Sequence, residues 1–469
     1  MKSFVNLTTF LLIFVAFLSQ PTIAQSWGAV GTGTDGPVHC LNNFGQSLSI
    51  GGKFKLINSF NRVNHCLVRE NFLNNYTYFF TFTEDFNTPQ SGGSLPGTAI
   101  YASAPFNNRL HVGGKFYHES SLENIGIGYM EEDPSSGFTS FHSYSHTIAD
   151  SQAVLCFKSF DDKLFFGGSF TNLNGANFIA YIETNDYPTP TIKSSGNQIN
   201  GTVRTLEVFE NTLYAGGDFL ALDSDSVVQS HIAKWNGSDW ELVGKGLNAN
   251  VYTLFPFEGL LYAGGAFTAS DSLPISKLAK WNGMAWSQAG PGFVDSTDTV
   301  FSIASYDDTL FIAGRLKNPQ YTYLKNITML VNNDWKVFAV GPSGPIYAME
   351  AYRGKLYIGG DFQKVNTQVF SNLVTYHNGN ASLGVSTSSM NPKELTLFPS
   401  PCDEVLHIES IEEINEISIL SSDGVIHRTI EQNSNSSSLK TSDLPAGHYQ
   451  VIATYKDDYQ TTKPFLIIH

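Results

Sequence analysis

Two observations predict an all-β molecule, a seven-bladed β-propeller followed by a small antiparallel β-sandwich. A unit of the form V-x-x-x-x-x-F, two turn residues, then x-L-x-x-G-G-x-F recurs seven times between Val38 and Gly360. That period stops after residue 385, and short alternating strands of a different grammar occupy residues 393–469. The composition agrees. The chain has 41 Gly, 35 Phe and 21 Tyr among 469 residues and only 15% charged residues. Aromatics suit pleated surfaces and glycine suits tight turns, so many short strands are expected.

Residues 1–24 read as a secretory signal peptide. Lys2 is their only charge, residues 10–18 (FLLIFVAFL) form an apolar run, and Thr22, Ile23 and Ala24 precede Gln25 as a small-residue end. A run this short does not span a bilayer with margin, which predicts cleavage rather than anchoring. No later stretch is long and apolar enough for a transmembrane helix, so the mature chain is expected to be soluble and exported.

Residues 25–385 hold the repeat. Its glycine pairs are Gly51-Gly52, Gly113-Gly114, Gly167-Gly168, Gly216-Gly217, Gly264-Gly265 and Gly359-Gly360, with a degenerate copy at Ala313-Gly314. Val38, Ile100, Val154, Val203, Val251, Val300 and Ile346 each lie 13 residues before the first member of their pair, with no gap in any copy. Steps between second glycines run from 46 to 62 residues, the size of a four-stranded propeller blade. Strand A runs from the Val to an aromatic six places on, such as Phe209 or Tyr352. A two-residue turn such as Asp161-Asp162, Glu258-Gly259 or Arg353-Gly354 closes a hairpin, and strand B ends on the glycine pair. Strand C reads Ile232-Ala233-Lys234-Trp235 or Leu278-Ala279-Lys280-Trp281. Asn236-Gly237 and Asn282-Gly283 then turn the chain into strand D at residues 240–244 and 286–290.

The last unit passes Asn378-Gly379 without a Trp-bearing strand D. Residues 27–31 (Trp27-Gly28-Ala29-Val30-Gly31) carry the W-x-x-V-G spacing of residues 240–244. They are expected to form the outer strand of the seventh blade and to close the ring, which removes exposed sheet edges. Through its strand-ending Gly-Gly the pattern resembles kelch-like propellers. It is similar to bacterial and fungal surface repeats with an L-Y-x-G-G-D-F … I-A-K-W-N-G signature. Trp235 lies 18 residues beyond Gly217, which departs from strict kelch spacing. The resemblance covers roughly residues 26–385 and implies the fold.

The four cysteines, Cys40, Cys66, Cys156 and Cys402, are scattered and lack C-x-x-C spacing, so neither a disulfide framework nor a metal site is expected. Cys40 and Cys156 fall two residues after the strand A Val, where other units carry Ala102, Thr205, Thr253, Ser302 and Ala348. That column calls for a small side chain, a place a free buried thiol can fill.

Residues 386–392 read as a linker and 393–469 as a separate domain. Alternating strands at 395–398, 417–420 and 449–453, with turns at Asp423-Gly424, Pro445-Ala446-Gly447 and Lys456-Asp457-Asp458, predict the β-sandwich. This stretch also resembles the type A C-terminal sorting domain of the type IX secretion system. The matching residues are Pro399 and Pro401 after Phe398, Asp423 and Gly424, then Leu444, Pro445, Gly447 and Tyr449, and Lys463 in a closing strand. Ser400 and Val425 stand where Asn and Lys are usual. The resemblance implies passage across an outer membrane, the type IX secretion machinery as a partner, and an extracellular or outer-membrane surface location.

A formal charge of −15 argues against nucleic acid as a partner and leaves neutral glycans, proteins or cationic ligands. No G-x-S-x-G, H-E-x-x-H, P-loop, EF-hand or Asp-box signature occurs, although each would carry a specific chemistry. Asp223-Ser224-Asp225-Ser226 lacks the Gly and distal Glu of a calcium loop. His39, His65, His111 and His118 are not at ligand spacing on one element, so neither metal nor cofactor is expected. Surface is what remains. The column directly after the strand A Val holds His39, Tyr101, Leu155, Arg204, Tyr252, Phe301 and Tyr347. Tyr101, Arg204, Tyr252 and Tyr347 are the candidate ligand residues, since tyrosine and arginine suit glycan stacking and protein hot spots; the same rings could equally pack against the neighbouring blade. The loops at residues 220–230 and 268–276 are the other candidates. The expectation is a secreted or cell-surface binding or adhesion module without catalysis, its partner an extracellular protein or glycan. One rival is a glycoside hydrolase or lyase using loop carboxylates such as Glu207, Asp218, Glu350 or Asp361. Another is a structural component of a surface layer.

Overall fold

The computed structural model describes residues 26–377 and 395–467, apart from residues 46, 58–59, 62–63, 71–76, 81–97, 118–123, 133–138, 145–146, 184–189, 197–198, 224–225, 229, 318–324, 337–340, 366–367, 399–404, 422–425, 446 and 456–459. The expected signal peptide and linker, and Pro399, Pro401, Cys402, Asp423 and Gly424, lie outside the described residues. The described chain is all β, with no helix.

The repeat folds into four-stranded antiparallel sheets. Their inner strands are Val38–Phe44, Ala99–Phe106, Val154–Phe160, Val203–Phe209, Val251–Phe257, Thr299–Tyr306 and Ile346–Tyr352, which define sheets one to seven. In sheet four, Val203–Phe209 pairs with Thr212–Gly217, that strand with Ile232–Trp235, and that one with Trp240–Leu242. The hairpin between the first two strands turns on two residues of positive φ, as at Asn107-Asn108, Asp161-Asp162 and Asp307-Asp308. This is the geometry whose twist matches the flanking strands.

Two close approaches explain the glycine pair. A Cβ on the second glycine would sit 2.0–2.2 Å from the carbonyl oxygen just before the same sheet's strand A Val or Ile, as at Thr202 for Gly217 and Pro345 for Gly360. A Cβ on the first would sit 2.4–2.7 Å from the Val or Ile that opens the following sheet, as at Val154 for Gly113 and Val251 for Gly216. Only glycine lets the chains come this near. The same approach joins Gly359 of sheet seven to Val38 of sheet one, at 2.4 Å. Each inner strand packs against the next, and Ile346–Tyr352 packs against Val38–Phe44.

Ser26–Ala29 pairs antiparallel with Leu373–His377, with Trp27 opposite Tyr376 and their rings 5.5 Å apart, edge to face. The strand stops before the expected residue 31. Gly31 takes a left-handed φ of 57°, as Gly244 (59°) and Gly290 (63°) do after the outer strands of sheets four and five, and a left-handed residue ends an extended strand. Another recurrence carries no common residue type. The residue before the third strand is left-handed at Asn64, Gly126, Phe178, His231, Lys277 and Asn372, and in sheet six the left-handed residue is Asn326, the second of the strand Lys325–Val331. In the other six sheets the carbonyl of the left-handed residue accepts the amide of the second glycine, as in Gly217 N to His231 O at 3.0 Å.

Cys40 and Cys156 are buried free thiols in the small-residue column. Burial pushes the Cys40 thiol up to about 12, out of reach of thiolate chemistry.

The tail's five strands form one hydrogen-bonded sheet, which bends so that its two halves share one core. Val405–Ser421 pairs with Leu395–Phe398, Ile426–Lys440 and Gly447–Tyr455, and the last of these with Gln460–Ile467. The 17-residue strand belongs to both halves because its register slips between Glu409 and Glu416, and such bulges bend a strand. Leu406 and Ile408 from one half share a core with Ile417, Ile419, Val451 and Tyr455 from the other.

Candidate functional site

In all seven sheets the ladder slips by one position just after the strand A Val or Ile, for example between Val203 and Thr205 and between Ile346 and Ala348. The skipped residue has no ladder partner, and a bulge re-aims its side chain out of the sheet. The skipped residues are the column His39, Tyr101, Leu155, Arg204, Tyr252, Phe301 and Tyr347. All seven are half-buried, and together with Ala153 they line one cavity of about 430 Å³.

Contacts run from neighbour to neighbour around this mouth. His39 lies 5.0 Å from Tyr101 and 5.3 Å from Tyr347 between ring centres. Phe301 lies 5.6 Å from Tyr347 and 5.1 Å from Tyr252, the second pair edge to face. The Arg204 guanidinium sits 5.0 Å over the Tyr252 ring, within cation–π range. Arg204 Nε donates to Asp218 Oδ1 at 2.7 Å and Nη2 donates to Oδ2 at 2.5 Å, a two-point pair that fixes the guanidinium plane. Leu155 completes the circle.

Burial, and then Lys53, lower the His39 pKa to about 4, so its imidazole is neutral at pH 7. Burial likewise raises the Tyr101 and Tyr347 phenols. The four candidate residues therefore meet at one place. The sequence column also holds His39, Leu155 and Phe301, which are equal members of the ring. Among the described residues, neither candidate loop lines the cavity. Residues 220–230 contain the small hairpin of Ala221–Asp223 with Ser226–Val228, and residues 268–276 that of Ala269–Ser270 with Leu273–Pro274.

Below the mouth, a cavity of about 570 Å³ is walled by all seven inner strands. Three residues beyond the bulge, Lys158, Glu207 and Glu350 reach this space. Lys158 Nζ pairs with Glu207, and Asn43 Nδ2 donates to Glu350 Oε1 at 2.5 Å. Burial pushes the Glu350 carboxyl up to about 7, with Lys158 pulling the other way. Glu207 and Glu350 thus stand on inner strands, not on loops as the sequence suggested, because seven closely packed strands wall the space that loops would fill. Asp218 is held by Arg204.

In the tail, Leu444 and Tyr449 are buried, and the Tyr449 hydroxyl donates to Pro445 O at 3.0 Å. Gly447 opens the strand Gly447–Tyr455, and Lys463 stands opposite Val451.

Residues 396–468 match the family model of the secretion system C-terminal sorting domain. The chain therefore carries a type IX sorting domain and is exported to the cell surface or the extracellular space. No curated protein matches the chain. Among solved structures, it is similar to the extracellular domain of BT4673 from B. thetaiotaomicron, at 10% identity and TM-score 0.47, over 95% of this chain and 57% of that one. It is also similar to PorZ, a surface component of the type-IX secretion system of Porphyromonas gingivalis, at 10% identity and TM-score 0.37, over 90% and 64%. The WD40 β-propeller domain of Doa1 matches at 12% identity and TM-score 0.41, over 75% and 96%. The chain spans about six-tenths of the length of the first two. No helix among the described residues is long and apolar enough to cross a membrane.

Proposed function

We propose that the chain is a secreted or surface-displayed propeller of seven blades that binds an extracellular protein or glycan at its aromatic mouth, without catalysis. Residues 1–24 act as a cleaved signal peptide, 25–385 as the propeller, 386–392 as a linker, and 393–469 as the sorting domain recognised by the type IX machinery. A kelch-like repeat pattern is part of the same reading, carried by the Gly-Gly column. Closure of the ring is supported by the Gly359–Val38 approach and by Ser26–Ala29 completing sheet seven.

The observation that carries the binding reading is the convergence of seven bulged side chains, one from each sheet, on a single cavity. Half-buried rings and an arginine whose charge is already matched form a surface that gains by covering. A glycan array combined with pull-down from surface extracts tests it. The mature protein is expected to capture a ligand that the Tyr252→Ala/Phe301→Ala variant does not. Turnover of a polysaccharide that disappears in Glu350→Gln would overturn it in favour of a propeller enzyme. That second reading draws support from Glu350, whose carboxyl is pushed up to about 7 and is suited to hold a transferable proton near neutral pH. The ion pair that occupies Glu207 weighs against Glu207 as its partner.

A further inference from the structure

We infer that the ligand of the mouth is an acidic saccharide, a pyranose bearing a carboxylate, and not the neutral or cationic ligand that the net charge of the chain favours. The inference rests on the mouth being the binding site. A second ring surrounds the first: the residue directly after each glycine pair is charged in five sheets, as Lys53, Lys115, Asp218, Arg315 and Asp361. Backbone pairing places them beside the inner ring. Lys53 N donates to Pro37 O at 2.8 Å and Asp361 N to Pro345 O at 2.9 Å, while Lys115 lies opposite Ala99 and Arg315 opposite Thr299, each partner two residues before a bulged residue. Their charges act on His39, Tyr101 and Tyr347.

Asp218 is used up by Arg204, and His39 is neutral. Among the described residues of this second ring, Lys53, Lys115 and Arg315 then face Asp361, an excess of two positive charges on a chain of net charge −15. Among the described residues, none of the three cations forms an ion pair. The local field at a cleft follows the nearest charges once separations exceed the screening length of about 8 Å at physiological salt, so the sign at the mouth is positive although the protein is acidic.

The aromatic ring selects what carries the anion. Ring faces pack on the apolar face of a pyranose, and tyrosine hydroxyls with the Arg204–Asp218 pair offer donors and acceptors to its hydroxyl edge. A rigid sugar ring also gives up less freedom on binding than an acidic peptide, whose side chains each cost about 0.5–1.5 kcal/mol to immobilise. A carboxylate on the ring then meets Lys53, Lys115 or Arg315 at the rim, a charge-assisted contact.

The test is calorimetric titration of the chain from residue 25 onward with oligogalacturonate, with its methyl ester, and with an oligoglutamate peptide of equal charge. The acid is expected to bind about tenfold more tightly than the ester, the sum of two or three exposed charge contacts, and the gap is expected to close at high salt. Lys53→Gln/Lys115→Gln/Arg315→Gln is expected to bring the acid down to the level of the ester. Equal binding of acid and ester, peptide binding as tight as the acid, or no binding of either sugar would overturn the inference. Equal binding of acid and ester that Tyr252→Ala/Phe301→Ala abolishes would overturn only the charge preference and leave the mouth as the site. Acid binding that survives this double substitution would overturn the mouth itself, provided both variants melt like the parent.

Discussion

At the mouth of the central cavity, the bulged residue of each inner strand is aromatic in five of seven sheets, counting His39, and the one cation among them is matched by Asp218. Three residues further along the same strands, about 10 Å away at a strand rise near 3.3 Å, the wall carries Lys158 against Glu207 and Glu350. The far face beyond is also acidic. Its two-residue turns hold Asp161, Asp162, Glu210, Glu258, Asp307 and Asp308 against Arg353. One set of strands therefore builds a rim with excess positive charge at one end and a carboxylate-bearing wall towards the other. The difference lies in backbone geometry. The bulge turns one residue per strand out of the sheet towards solvent, whereas the residue three places on stays in register and must share a confined space with its neighbours.

The comparison breaks most completely if the proposed ring is opened, because both ends depend on it. Gly359→Val would drive a Cβ to within 2.4 Å of Val38, and overpacking of this kind costs about 1–3 kcal/mol or more. Denaturant melts should show that loss, and ligand capture should fall with it. Tyr252→Ala/Phe301→Ala tests the mouth alone. It should weaken binding by about 10- to 100-fold, as removal of aromatic hot spots does, with the thermal midpoint within a few degrees of the parent. Lys158→Gln tests the deeper wall alone. It leaves Glu207 without its cation and should destabilise by about 1–2 kcal/mol, the cost of a partly buried charge left unpaired, and the Glu350 titration should move upward.

A further test separates the two regions by pH. The Glu350 carboxyl rises from 4.5 to about 7 on folding, so between these values the folded chain holds the proton that the unfolded chain releases. Its contribution is present below pH 4.5 and is lost as pH rises through about 7. Glu350→Gln should therefore raise the melting temperature at pH 8, by about 2–4 °C per kcal/mol regained, and change little at pH 4.5. His39 at the mouth runs the other way, with His65 and His111. Burial lowers these imidazoles from 6.5 to about 4, 3 and 3. The unfolded chain then takes up protons first, and stability present above pH 6.5 declines as pH falls towards 3. A melting profile that is flat between pH 6.5 and pH 4 in the Glu350→Gln variant would contradict this assignment.

Much of this was legible in the sequence. Ungapped spacing between Val203 and Gly216, and its six copies, placed five inner strands to the residue and the other two, Ala99–Phe106 and Thr299–Tyr306, to within one, and Trp27-x-x-Val30-Gly31 pointed to the outer strand beside Leu373–His377. Tyr101, Arg204, Tyr252 and Tyr347 were readable as one column. The bulge that presents them was not, since a Val followed by a small residue two places later has no composition that marks a register slip. Lys53, Lys115 and Arg315 were missed for another reason. They share only an offset from the glycine pair, and that offset alternates with Ser169, Ala266 and acidic residues, so no residue type drew attention to it. In the tail, the shared strand was not legible, because the pattern of residues 405–421 does not reveal that one strand serves both halves.

The sequence by itself determined the period, the strands, the glycine pairs and the sorting address, because each is set by steric or patterning rules that act within a few residues. Only the tertiary structure decided the sign of the mouth. The net charge of −15 sums the whole surface, whereas recognition responds to groups within about a screening length. Bringing Lys53, Lys115 and Arg315 around the aromatic ring, while Asp218 is spent on Arg204, takes contacts between residues more than 200 positions apart in the chain.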